Sequence, residues 1–236
     1  MPVDMTTWAG LGAAGMAVGT AYPLYGMARD PEKYRFYGVL ASITGIAFVA
    51  YVLMAFNIGT VTAAGYDLPL PRYIDWLLTT PLLVLYLGML VRPGRRLVAA
   101  LVAVNVPIIG FGIGASLTIG PISWAMFGLS SVAYITLLWM LLWELPARAT
   151  IHDDRIEVVF GKLRNLTVVL WTLYPIVWLA APTGAGLMLP AEEMVAFVYL
   201  DFISKVAFVV VAVNGAGALD ALSAAEGPAV DPISAD

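Results

Sequence analysis

The chain has 236 residues, of which 61% are hydrophobic and 12% charged, and its mean hydropathy is +0.88. An ordinary soluble domain carries about a quarter charged residues, so this composition excludes one and specifies a polytopic membrane protein. The net charge of -4 offers no basic surface for nucleic acid, and the absence of cysteine excludes disulfides, thiolate metal sites and thiol nucleophiles. The single histidine, His152, stands beside Asp153 and Asp154 in a polar stretch. With no second histidine to complete a site it reads as a solvated loop residue, and no metal is expected.

Residues 1–8 contain Asp4 but no lysine or arginine, so they lack the basic region of a signal peptide, and the first apolar segment reads as a retained helix. Seven apolar segments follow in order, at residues 5–28, 34–56, 71–91, 97–117, 122–143, 166–181 (with a polar N-terminal extension) and 194–219. The short connections between them predict an all-α membrane protein, a bundle of seven transmembrane helices. Arg29, Lys33 and Arg35 follow the first segment, Arg92, Arg95 and Arg96 the third, and Arg148, Arg155, Lys162 and Arg164 the fifth. The alternate loops, around Asp67, Thr118 and Glu192-Glu193, carry no basic residue. By the positive-inside rule the N-terminus is extracellular and the C-terminus cytoplasmic. Residues 1–222 therefore form one transmembrane domain, and the small, acidic, proline-containing stretch 223–236 reads as a disordered cytoplasmic tail.

Two motifs carry no function. Gly10-Leu11-Gly12-Ala13-Ala14-Gly15 has the spacing of a dinucleotide loop, but it lies in a membrane helix with no preceding strand, so small-residue helix packing explains it. Gly15/Gly19 and Gly110/Gly114 read in the same way. Asn165-Leu166-Thr167 fits a glycosylation sequon but falls on the predicted cytoplasmic side.

Ten of the twelve basic residues lie in the basic loops, which leaves Arg72 and Lys205 inside apolar helices. Each has an aspartate within one turn, Asp75 and Asp201 respectively. Charges at membrane depth are costly unless they face the bundle interior and pair. If the third and seventh helices adjoin, these four charges meet and sum to zero, as a structural ion cluster or as the seat of a reaction. Thr79 is one turn from Asp75, and Trp76 and Thr80 form the adjoining stripe. On the sixth helix Trp171, Tyr174 and Trp178 make an aromatic wall, and Pro175 marks a place of bending.

The runs 72–81, 164–178 and 199–206 together resemble the archaeal microbial rhodopsins, over nearly the whole chain. The resemblance implies a seven-helix protein with all-trans retinal held on Lys205 as a protonated Schiff base. It makes Asp75 the primary counterion and proton acceptor, Asp201 the second carboxylate and Arg72 the balancing cation. Tyr51, Trp76, Thr79, Thr80, Trp171, Tyr174 and Trp178 match the family's retinal pocket, with Asn105, Gly112, Phe127, Ser130 and Tyr134 as further contacts. The elementary chemistry agrees: an imine needs a desolvated amine, and once protonated it needs a buried carboxylate.

Proton pumps of this family carry a second carboxylate about three turns beyond the counterion, where this chain has Tyr86. Tyrosine, with a pKa of about 10, donates poorly at neutral pH. Slow reprotonation suits a sensor better than a pump, and an aspartate at position 75 disfavours chloride transport. Further residues resemble the sensory rhodopsin II group, blue-light receptors for negative phototaxis that signal to a membrane-embedded two-helix transducer in a two-plus-two complex. The resemblance gives Ser204 and Tyr174 a relay role and Tyr199 a transducer contact, for which a lipid-facing aromatic is the alternative; Asn105 replaces an acid of the pumps. Ser130 departs from the glycine usual in these receptors, and Leu189 lacks a hydroxyl that some relatives place near the transducer. A middle-rhodopsin-type receptor and a slow outward proton pump stay open as alternatives. Glu193, at the outer end of the seventh helix, is a candidate for proton release or a solvated loop glutamate. No enzymatic activity is expected, and the setting is the cell membrane, multi-pass, with homo-oligomerisation open.

Overall fold

The structure, a computed structural model, describes residues 4–150 and 153–226. His152 and the stretch 227–236 of the predicted tail lie outside the described residues. Helix α1 (Met5–Arg29) starts at Asp4, whose carboxylate accepts the Thr7 backbone N–H at 2.7 Å. Then come α2 (Tyr34–Ala55), α3 (Leu70–Val91), α4 (Arg95–Leu117) and α5 (Gly120–Ala147). Helix α6 (Asp154–Ala180), α7 (Pro190–Asn214) and α8 (Ala216–Glu226) complete the helical elements. Among the described residues six helices, α2 to α7, are long and apolar enough to cross a membrane. Helix α1, 25 residues of mostly small side chains, spans about 37 Å at 1.5 Å per residue and packs along α2 and α7 as the seventh member of the bundle.

Consecutive helices pack side by side from α1 to α5, and α6 and α7 close the bundle against α3 and α1. Close approach of α1 and α2 depends on Gly12, where a Cβ would stand 2.5 Å from the Tyr51 ring. Gly15 and Gly19 receive Phe202 and Val206 of α7 in the same manner, which is the packing role read from their spacing.

The loop expected around Asp67 contains a hairpin. Strand β1 (Thr60–Ala63) pairs antiparallel with β2 (Tyr66–Pro69). Ala64 and Gly65 both have positive φ, the conformation of a two-residue hairpin turn. This hairpin marks one face of the bundle; the arginine-bearing loops lie at the other.

Helix α6 begins at Asp154 and so takes in the whole polar extension. Asp153 caps it, accepting Arg155 N at 2.9 Å and the Arg155 guanidinium at 2.9 and 3.1 Å. These bonds hold the Asp153 carboxyl below the usual carboxylate range. The last span ends at Asn214 rather than 219, because Asn214-Gly215 closes α7. Helix α8 then packs Ala218, Leu219 and Leu222 into the core, and Asp220 meets Lys33 at 2.5 Å. The helix reaches Glu226, four residues into the stretch read as disordered.

Candidate functional site

Helix α3 carries Arg72, Asp75, Trp76, Thr79 and Thr80 over slightly more than two turns, and all face α7 or the space beside it. Helix α7 brings Asp201 and Lys205 at i and i+4, but the segment Phe202–Ala207 is π-helical. Such a turn is a local distortion common at functional sites, and nothing in the residue pattern announced it. Lys205 Nζ forms an ion pair with Asp75 Oδ2 and lies 3.5 Å from Asp201 Oδ1. None of the three side chains is more than 2% exposed.

The two carboxylates are held differently. Asp201 accepts Trp76 Nε1–H at 3.0 Å, the Tyr174 hydroxyl at 2.7 Å and the Tyr51 hydroxyl at 2.8 Å, donors from three helices. Among the described residues Asp75 receives only Thr79 Oγ1 at 3.2 Å besides Lys205, and that hydroxyl is closer to the Asp75 carbonyl at 2.8 Å. Tyr174 also exchanges a hydrogen bond with Ser204 at 3.0 Å, which joins α6 to the turn beside Lys205.

Arg72 departs from its expected place. Its ion-pair partner is Glu193, at 3.7 Å, its guanidinium lies 4.8 Å from the Phe197 ring centroid, and Nη2 approaches Met194 Sδ at 2.8 Å. The physical reason is direction: helical side chains lean towards the N-terminus, so Arg72 reaches the first turn of α7 while Asp75 faces Lys205. The cluster therefore contains two cations and three anions, not two of each. Glu193 is not a loop residue; it sits in the first turn of α7 with its side chain 13% exposed.

Beside Lys205 opens a cavity walled by rings. Ten of the residues expected to form a pocket line it: Trp76, Thr80, Asn105, Gly112, Phe127, Ser130, Tyr134, Trp171, Tyr174 and Trp178. Phe127 and Trp178 stack at 4.3 Å with planes 11° apart, and Trp76 meets Tyr174 and Phe197 edge-on at 5.2 and 5.0 Å. Two expected members do not line it. Tyr51 and Thr79 are fully buried behind the carboxylates, where their hydroxyls serve Asp201 and Asp75. Phe197 and Tyr73 do line it and were missed. A signal existed for each: Phe197 lies one turn before Asp201 on the same face, and Tyr73 precedes Trp76 and Thr80 at i, i+3 and i+7. Asn105 donates to the Leu101 carbonyl at 2.7 Å, while its Oδ1 is buried without a partner among the described residues.

Tyr199 is 57% exposed on the bundle's outer surface, with its ring 6.3 Å from that of Trp8, and Leu189 is 65% exposed. Tyr86 is fully buried between Phe36 and Phe208, its ring centroid 6.3 and 5.8 Å from theirs, and its hydroxyl has no hydrogen-bond partner among the described residues.

Fold and site together define a helical membrane protein with a buried amine, Lys205, set between two carboxylates at the wall of an aromatic cavity. The family model described as bacteriorhodopsin-like protein matches residues 4–219. Sensory rhodopsin-2 of Halobacterium salinarum is 49% identical over 225 residues, covering 95% of this chain and 94% of the relative. Sensory rhodopsin-2 of Natronomonas pharaonis is 38% identical over 93% of this chain and 92% of its own length. Among solved structures, a thermophilic rhodopsin from Rubrobacter xylanophilus superposes with a TM-score of 0.89 at 35% identity, covering 94% of this chain and 100% of that one. The chain belongs to the bacteriorhodopsin-like family, a multi-pass membrane protein of the microbial rhodopsin class.

That family implies a retinal chromophore, and the residues present fit one. A primary amine at the cavity wall can condense with an aldehyde, stacked and edge-on rings suit a flat polyene, and the unpartnered Asn105 Oδ1 borders the same space.

Proposed function

We propose that the protein is a photoreceptor of the sensory rhodopsin II type, mediating negative, blue-light phototaxis through a membrane-embedded two-helix transducer. The observation that carries the reading is Lys205, buried between Asp75 and Asp201 at the wall of the aromatic cavity. All-trans retinal, attached at Lys205, supplies light absorption and a double-bond isomerisation. The chain's own residues do the rest. Three neutral donors, Trp76, Tyr174 and Tyr51, hold the Asp201 side chain in place. Asp75, with the weaker Thr79 contact, is the group placed to take a proton from Lys205 Nζ. Transfer neutralises the Lys205–Asp75 attraction, and the Tyr174–Ser204 bond carries the change to α6, where Pro175 lets the helix bend. Tyr199, on the exposed flank of α7, faces the transducer. The N-terminus and hairpin lie outside the cell and the arginine-bearing loops inside.

Glu193 favours a second reading. A carboxyl held against Arg72 on the hairpin side is placed to release a proton outward, as a slow pump requires. Illuminated vesicles, with and without the transducer, separate the two. The sensor reading expects little sustained proton flux once the transducer is bound; a large steady flux under that condition overturns it.

A further inference from the structure

Near the end of α4, in the apolar run Gly114-Ala115-Ser116-Leu117, stands a fully buried hydroxyl. Ser116 does not line the cavity, but it bonds two residues that do, Gly112 and Trp178. Its Oγ accepts the Trp178 Nε1–H at 2.9 Å, a bond that crosses from α4 to α6. The same Oγ donates to the Gly112 carbonyl, one turn back on its own helix, at 3.3 Å. A bond to the carbonyl one turn back is the ordinary use of a hydroxyl in a membrane helix. Thr20, Ser42, Thr118 and Ser131 each make one, at 2.8 Å. Ser116 differs: its bond within the helix is the longer one, and its shorter bond goes to the indole.

Trp178 carries a single polar atom, a donor, and is buried, so its N–H needs an acceptor. Its ring stacks on Phe127 at 4.3 Å with planes 11° apart, and Trp124 meets it edge-on at 5.7 Å. Stacking sets the plane of the indole, but offset-stacked rings tolerate sliding. A hydrogen bond is directional, and this one fixes where in that plane the ring sits. The place matters for a ligand. Trp178, Phe127, Gly112 and Ser130 form the part of the cavity built from α4, α5 and the hairpin-side end of α6. Lys205 enters from α7, which packs chiefly on α1, α2 and α6. A polyene attached at Lys205 therefore points its far end, which carries the ring, at Trp178.

We infer that Ser116 is a positioning residue, whose hydroxyl holds the Trp178 indole at one place in its stack and so sets the shape of the cavity end that receives the ligand's ring. The inference rests on the retinal reading above. Absorption by a polyene depends on how far its ring is twisted out of the plane of the chain, so the place of Trp178 is read out in the visible band.

The test uses the full chain with all-trans retinal, and reads both the visible spectrum and the ultraviolet resonance Raman difference between variant and parent. Ser116→Ala removes the acceptor. Ser123→Ala is the control: it removes a neighbouring bond between α5 and α4, from Ser123 Oγ to the Ala115 carbonyl at 2.7 Å, and Ser123 does not line the cavity. Ser116→Ala is expected to move and broaden the visible band, with one indole N–H losing its hydrogen bond in the Raman difference; Ser123→Ala keeps the parent band. A parent-like band in Ser116→Ala, an equal shift in Ser123→Ala, or a shift without the indole change overturns the inference. If Ser116→Ala forms no pigment, Ser116→Thr and Ser116→Val decide, because the two have similar bulk and only the first keeps the hydroxyl. A band nearer the parent's in Ser116→Thr supports the inference, and indistinguishable behaviour of the two overturns it. Absence of any band in the parent chain would instead overturn the retinal reading itself, so the two failures are told apart.

Discussion

The bundle's two halves, on either side of Lys205, are built from opposite materials. Towards the hairpin lie the Arg72–Glu193 pair and, beside Lys205, Asp75 and Asp201 with their donors Tyr51, Trp76, Thr79 and Tyr174. Towards the arginine-bearing loops lie Leu40, Leu83, Leu87, Leu90, Phe208 and Val209, none more than 1% exposed, around a tyrosine whose hydroxyl bonds nothing among the described residues. A proton leaving Lys205 has acceptors on one side only. Among the buried described residues on the other side no carboxyl is placed to relay a returning proton, so the proposed function predicts a long-lived deprotonated state. Buried charge is costly, and its confinement to one half is what the proposed function requires.

The comparison breaks most completely if its common element is removed. Lys205→Ala leaves the cavity without an amine, and no visible band should form with all-trans retinal; a surviving band places the attachment elsewhere. Asp75→Asn disables the polar half while preserving its shape. It is expected to shift the band to longer wavelength and to abolish the long-lived deprotonated species in flash photolysis, whereas an unchanged spectrum denies Asp75 its role. Tyr86→Asp makes the apolar half resemble its counterpart. Recovery after a flash should then quicken by about a hundredfold, within the range that a placed general acid contributes, and an unaltered recovery would show that reprotonation is not limited at Tyr86. The smallest change trims one donor from Asp201. Tyr51→Phe is expected to lower thermal stability by about 1 kcal/mol, the worth of one buried hydrogen bond, with a visible band still formed; a loss several times larger would mean that Tyr51 holds more than Asp201.

Much of this was legible in the residues because membrane helices announce themselves through hydropathy and because Arg72 and Lys205 stood out as the basic residues that the loops did not absorb. Helical spacing joined Thr79 to Asp75, and the family resemblance placed Tyr174 beside Ser204 in the lysine's neighbourhood. What spacing could not reveal was depth across the bundle. Thr79 shares a face of α3 with Trp76 and Leu83 of the cavity, and Tyr51 comes from α2, which does not line it; both lie one layer behind, supporting carboxylates. Arg72 was grouped with Asp75 because they are three residues apart, but the lean of its long side chain carries it to Glu193. The hairpin at Thr60–Pro69 was read as a loop, although Ala64-Gly65 between two short runs carried a turn signal. The π-helical segment at Lys205 had no signal in the residue pattern.

The central claim, that Lys205 between its two acids holds the chromophore, has one direct measurement. The chain contains three lysines, Lys33, Lys162 and Lys205, and Lys205 is the one at the cavity. The pigment is formed with all-trans retinal, reduced with borohydride under light, cleaved and analysed by mass spectrometry. The account predicts one retinyl adduct, on the peptide carrying Lys205, with Lys33 and Lys162 unmodified. An adduct on either of those two, or none on Lys205, would contradict it.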